Sequence, residues 1–265
     1  MNPITIIQLA RFGDILNALP IAWLYHRDNF SVRWVVHKDF ATLVQGLSYI
    51  DEVVVWDGAN DDVEGAAMAQ GDHGPIVCTQ VHRMGTSVRR EANFCRASWS
   101  FCPHYSIEQI KAAPLVLDNR DTEEEADLID MVRHAAPYYN VLHGGELVLV
   151  APRGKSSVFP EPEILIACVR SIGGLAVIDM AEGHGTTRLQ DWLAVYERAS
   201  CLLAIDSAPL HLANATKTPT VALVNNDPWL ASEPRPHHIL RLTYAEALAP
   251  GGIERIAEAV KGVIE

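Results

Sequence analysis

No apolar run in this chain approaches the roughly 18 to 20 residues that a membrane-spanning helix needs, and Met1-Asn2-Pro3 lacks the basic start of a signal peptide. Both absences point to a soluble protein of the cytoplasm, with peripheral contact as the one form of membrane association left open. Cysteine is sparse and odd in number, five residues with no C-x-x-C spacing and mostly apolar neighbours, which fits reduced thiols rather than disulfides or zinc ligands. No metal-binding cluster stands out either. Asp61-Asp62 is not a D-x-D motif, and His237-His238 has no partner at ligand spacing. Positive charge is scarce, 21 Lys and Arg against 33 Asp and Glu, and the formal charge of −12 excludes broad nonspecific attraction to phosphate backbones. Repeats and low-complexity stretches are missing as well.

What is present is α/β rhythm. At 265 residues, 49% of them hydrophobic, the chain can bury one large core or two Rossmann-like lobes. Apolar segments at 4–8, 32–37, 53–56 and 76–79 read as strands, with helical patterns at 15–25 and 41–47 between them. The stretch 57–74 reads as loops around a short helix, and 82–105 has no clean period. An acidic helix over 121–136 precedes the breakers Pro137 and His143-Gly144-Gly145, where the spacing predicts a domain boundary, giving domains 1–140 and 141–265. The rhythm then resumes, with strands at 147–151, 175–178, 201–205 and 220–224. Helices are expected at 161–171, 189–198, 209–216 and 253–263.

Two segments carry the chemistry. In the first, the buried strand Cys201-Leu202-Leu203-Ala204-Ile205 runs into Asp206-Ser207-Ala208-Pro209-Leu210-His211, where Pro209 fits a first helical turn. Helix N-terminal amides near Ser207 to Leu210 then face the crevice at the strand's carboxyl end, a setting suited to a diphosphate. In the second, strand Ile4-Thr5-Ile6-Ile7 leads through Arg11-Phe12-Gly13-Asp14 into a helix with Pro20 inside it. On physical grounds alone Asp14 is either a helix N-cap or a carboxylate presented to a ligand.

Together these segments, about 190 residues apart, resemble the D-[ST]-G-x-x-H-L-A and R-x-x-x-G-D motifs of glycosyltransferase family 9, which includes the lipopolysaccharide heptosyltransferases. The chain is similar to a shortened, divergent member. Ala208 replaces the usual glycine, and the first turn is shorter. The resemblance implies a GT-B-like α/β fold, two Rossmann-like lobes facing a central cleft. It also implies metal-independent, inverting sugar transfer, with no cofactor and an ADP- or UDP-linked sugar as co-substrate.

The same resemblance implies the roles. Asp14 becomes the catalytic base, flanked by Arg11 and Gly13 on the acceptor side. Asp206, Ser207, Ala208 and His211 become donor contacts. The loop Arg153-Gly154-Lys155-Ser156-Ser157 resembles a glycine- and lysine-bearing donor loop, with Arg153, Lys155 and Ser156 as contacts, although the lysine's own slot is Ser157. Thr186, Thr187 and Asn226 complete the donor set; each also reads as a cap or turn residue.

From 81 to 111 the chain carries Arg83, Arg89, Arg90, Arg96 and Lys111 against Glu91 and Glu108, a local excess of three positive charges. His82, Arg83, Arg89, Arg90 and Arg96 are therefore expected to bind an anionic acceptor such as a lipopolysaccharide-core saccharide, or else to pair with the acidic surface at 118–130. Two rival readings stay open. Interleaved Phe94, Trp99, Phe101 and Tyr105 would also suit DNA, as in a glycosyltransferase acting on a modified base. The altered lysine, Ala208 and the glycine missing before Asn226 would suit a nucleotide-sugar-binding module without turnover.

Overall fold

The computed structural model describes residues 1–71, 73–80, 93–135, 146–154, 157–172, 175–180 and 188–264. The chain divides into two compact units, Met1–Asn119 and Arg120–Glu265.

In the first unit, β1 (Asn2–Ile7), β2 (Phe30–His37), β3 (Glu52–Trp56) and β4 (Ile76–Cys78) form one sheet in the order β3-β2-β1-β4, with every pairing parallel. The central strands are apolar on both faces because helices cover both. Ile4 pairs with Val32 and Ile6 with Trp34, and all four are fully buried. Helix α1 (Phe12–Arg27) crosses from β1 to β2 and runs through Pro20 without a break, and Asn29 turns the chain out of it at φ 64. The short helix α2 (Val63–Met68) falls within the expected 57–74 stretch.

Three elements of this unit differ from expectation. A 3₁₀ turn, Lys38–Leu43, stands where a helix over 41–47 was predicted. The side-chain amide of Asn119 donates to the carbonyls of Leu43 and Gln45, which a longer helix would have claimed, and Gly46 at φ 82 turns the chain away. Helix α3 (Phe94–Ser100) occupies part of the region that showed no period, and α4 (Ile107–Ala112) follows it.

In the second unit, β5 (Glu146–Ala151), β6 (Leu175–Asp179), β7 (Cys201–Ile205), β8 (Thr220–Val224) and β9 (His238–Thr243) make a parallel sheet in the order β6-β5-β7-β8-β9. Helices α5 (Thr122–Ala135), α6 (Pro162–Ser171), α7 (Leu193–Tyr196), α8 (Ala208–Thr216), α9 (Tyr244–Leu248) and α10 (Gly252–Ile264) accompany it. One core layer joins Val148, Val150, Leu203, Ile205, Val221 and Leu223 to Phe159, Tyr244, Ile256 and Val260.

Helix α5 belongs to this second unit, so the division falls at 119/120 rather than 140/141. The cause is local: Arg120 bridges Glu125 on α5, at 2.6 Å, and Glu197, just past α7, at 2.5 Å. The breakers at 137–145 lie outside the described residues. All five cysteines are free thiols, four of them buried. Among the described residues no helix is long and apolar enough to cross a membrane.

Candidate functional site

Each sheet has one point where strand order reverses, between β1 and β4 in the first unit and between β5 and β7 in the second. Ligands of open α/β sheets bind outside the carboxyl ends of the strands at such points. Both motif segments sit there.

In the first unit the chain leaves β1 through Gln8–Arg11. Arg11 occupies the N-cap of α1 at φ 68, ψ 129, without a side-chain capping bond. That conformation costs a non-glycine residue on the order of 1–3 kcal/mol and persists only where the surroundings dictate it. Asp14 is therefore the third helical residue and not the N-cap, a first-turn position where a carboxylate also favours the helix terminus. Its side chain is partly buried, with Oδ2 shielded from solvent. Burial pushes the Asp14 carboxyl from its usual range up to about 7, against a smaller downward pull from the charge of Arg11. Such a group exchanges a proton near neutrality, as a general base must. Arg11 is exposed, and Gly13 is half-buried beside it.

In the second unit Asp206 closes β7 and Ser207 is the N-cap of α8. Pro209 brings no N–H to that helix's first turn, and the Leu210 amide turns back to the Ser207 carbonyl at 3.0 Å. Asp206 is buried and accepts the Ser232 N–H at 2.7 Å. Desolvation raises its carboxyl to about 6, although the Ser232 bonds and the Arg241 charge work against the rise. His211 Nε2 lies 3.9 Å from the Asp206 carboxylate. Desolvation, helped by the charge of Arg235, lowers its imidazole to about 4, so His211 is neutral at pH 7 and can donate or accept a hydrogen bond. Gly154, after β5, approaches the same turn so closely that an added Cβ would come 3.0 Å from Ser207 Cβ and 3.0 Å from the Ser157 carbonyl oxygen.

The other expected site residues divide sharply. Arg153 is held by the buried Asp179 at 2.5 Å and by Glu163, so its guanidinium is committed to carboxylates of its own unit. Ser157, in the slot of the expected lysine, is buried and shares a 2.6 Å hydrogen bond with the Tyr244 hydroxyl. Asn226 accepts the Ala245 N–H at 2.7 Å, so it supports the start of α9. Arg96 pairs with Glu108 at 2.9 Å, a partner from its own segment. His82, Arg83, Arg89, Arg90, Lys155, Ser156, Thr186 and Thr187 lie outside the described residues. Among the described residues no group of three or more His, Cys, Asp or Glu side chains is placed to hold a metal ion.

Ser232, Tyr244 and Arg241 escaped the sequence reading although they support the Asp206 turn. Arg241 donates to the Ser232 carbonyl at 2.9 Å, and Ser232 in turn donates its amide to Asp206. Their contacts span 9 to 87 residues, so no local motif marks them.

No protein-family model matches the chain, and no curated protein matches it. Solved structures do. A family 9 glycosyltransferase from Veillonella parvula superposes with a TM-score of 0.65 at 13% identity, over 99% of this chain and 97% of that one. The E. coli ADP-heptose lipopolysaccharide heptosyltransferase II gives 0.62 at 11%, over 100% and 98%. The E. coli heptosyltransferase WaaC, determined with ADP, gives 0.55 at 13%, over 99% of both chains. The chain thus has the α/β fold of those enzymes, two Rossmann-like units each built on a parallel sheet.

Proposed function

We propose that the protein is an inverting glycosyltransferase that moves a sugar from a nucleotide-diphosphate donor to an acceptor hydroxyl, with Asp14 as general base. The observation that carries this reading is a carboxyl held near pKa 7 at the strand-order reversal of the first sheet, in a turn strained to present it. Asp14 takes the acceptor hydroxyl proton as that oxygen bonds to the anomeric carbon. The bond from the anomeric carbon to the diphosphate breaks on the opposite face, and the nucleoside diphosphate leaves with the electron pair.

The second unit holds the donor. Asp206 accepts hydrogen bonds from sugar hydroxyls rather than meeting phosphate, because like charges repel. The Ala208 N–H and neutral His211 serve the diphosphate, where the helix terminus favours negative charge. An ADP-linked sugar is the donor class we favour, in line with the ligands named for the two E. coli enzymes. Arg11 meets an anionic group on the acceptor, a saccharide of the lipopolysaccharide-core kind. With Arg153 committed to Asp179 and Glu163, the cation that answers the leaving group is assigned to Lys155.

The test is nucleotide release and product mass with a panel of nucleotide sugars, comparing the protein with Asp14→Asn in the presence of saccharide or DNA acceptors. Donor consumption that falls at least about 100-fold in the variant, while nucleoside diphosphate binding is kept, is the expected result. The rate should climb as pH rises through about 7, because the base works deprotonated. Donor binding without turnover under every condition would overturn the reading in favour of a binding module.

A further inference from the structure

Asp14 owes its position to a turn that backbone bonds to β2 hold only in part: the Gln8 N–H donates to the Val35 carbonyl at 3.2 Å and the Leu9 carbonyl accepts the His37 N–H at 3.0 Å, while the Leu9 N–H and the Ala10 carbonyl are held by side chains. β1 ends at Ile7, and α1 begins at Phe12. Two glutamines fill the gap. Gln80, two residues past β4, accepts the Leu9 N–H on Oε1 at 2.8 Å and donates from Nε2 to the Asn60 carbonyl at 3.0 Å. Gln8 donates from Nε2 to the Ala10 carbonyl at 2.9 Å, while its Oε1 accepts the Thr79 hydroxyl at 2.7 Å. Ser98 on α3 donates to the Thr79 carbonyl at 2.8 Å, which ties the pair to a helix. Gln8 and Gln80 are each only 1% exposed, and Thr79 is fully buried.

A long amide is an expensive side chain to bury, and an apolar residue would fill either position without desolvating a polar group. Here both ends of both amides are satisfied, and the two backbone groups they hold, Leu9 N–H and Ala10 C=O, immediately precede the strained Arg11. Network members that are fully satisfied rigidify and specify one geometry.

We infer that Gln8 and Gln80 are positioning residues for Asp14: a buried amide clamp across the ends of β1 and β4 that holds the turn in the conformation presenting its carboxyl. The inference rests on Asp14 as the base, and it predicts a loss of turnover that leaves donor affinity untouched, since neither glutamine lies in the donor unit.

The experiment compares the full-length protein with Gln80→Met, Gln80→Glu, Thr79→Val and Asp14→Asn, reading kcat, donor KM and the Asp14 carboxyl titration by ¹³C NMR, assigned by difference with Asp14→Asn. Gln80→Met should lose about 10- to 100-fold in kcat with donor KM unchanged. Its Asp14 titration midpoint should fall from about 7 toward the ordinary carboxylate value. Gln80→Glu keeps an acceptor for the Leu9 N–H but loses the donor to the Asn60 carbonyl, so it should recover part of both. If Gln80→Met does not fold, Thr79→Val, which removes the hydroxyl shared between Gln8 Oε1 at 2.7 Å and the Ile7 carbonyl at 3.5 Å, should show the same change at smaller amplitude. A folded Gln80→Met or Thr79→Val with unchanged kcat and an unmoved midpoint overturns the clamp. Should Asp14→Asn retain full turnover, the base reading falls by itself, and the titration alone then decides whether the clamp sets the carboxyl.

Discussion

Holding the Asp14 carboxyl near 7 carries a thermodynamic consequence that can be measured without any substrate. The group titrates near 3.8 in an unfolded chain and near 7 in the folded one, so between those values the folded state keeps a proton that the unfolded state has released. Stability therefore falls as pH rises across that window, by about 1.4 kcal/mol per pH unit, and the full penalty of at most about 4 kcal/mol stands above pH 7. Asp14→Asn removes a group that cannot relax this cost. At pH 8 the variant should be more stable than the parent by about 2–4 kcal/mol in urea denaturation, and at pH 4 the two should coincide. An equal difference at both pH values would mean that the carboxyl titrates normally. An enzyme that gains stability on losing its base is the ordinary trade between activity and stability. Asp206, held near 6 in the other unit, carries the same sign over a narrower window.

At the scale of elements, the candidate donor turn depends on a strand and two helices at the end of the chain. β9 brings Arg241 to the Ser232 carbonyl, and α9 brings Tyr244 to Ser157 while its ring packs edge-on against Phe159 at 5.3 Å. The joint between α9 and α10 is unusually close. A Cβ on Gly252 would lie 2.3 Å from the Glu246 carbonyl oxygen and 2.4 Å from that of Ala247, both backbone atoms that cannot step aside. Gly252→Ala should cost about 1–3 kcal/mol or more, seen as a fall in Tm, whereas loss of Gly262, which has open space around it, should cost little. Equal effects at the two positions would refute the close approach.

The same elements show where sequence reading ran out. β7 and β8 were legible because all five residues of each are buried, which writes an uninterrupted apolar run. β9 was not, since it is mostly part-exposed and carries His238 and Arg241. Two short helices did leave signals that periodicity overlooks: the capping boxes Thr243/Glu246 and Ser106/Gln109, each opening a helix too short to show a period. In the candidate site, Asp14, Asp206 and His211 were legible as local motifs. The commitment of Arg153 to Asp179 and the clamp by Gln80 were not, because each is made across the sheet between residues far apart in the chain.

At the scale of the molecule, the buried titratable groups are distributed unevenly, and their signs oppose. In the first unit the folded chain holds the extra proton, on Asp14. In the second, desolvation lowers His211 and His237 to about 4 and His238 to about 3, with neighbouring positive charges adding to the effect. Below pH 6.5 the unfolded second unit therefore takes up protons on three histidines that the folded unit refuses, while the folded unit keeps one on Asp206. At pH 5 the difference is about two protons in favour of the unfolded state, so stability of this unit should rise with pH, by at most about 3 kcal/mol per unit before solvent screening of the part-exposed rings. Stability of the first unit should fall over the same range. Hydrogen exchange resolves the two. Between pH 5 and pH 7, after correction for intrinsic exchange chemistry, amides of β7 and β8 should gain protection while those of β1 and β2 lose it. Protection moving in the same direction throughout would show that the two units open as one cooperative body, and the separate pH dependences would then be hidden in their sum.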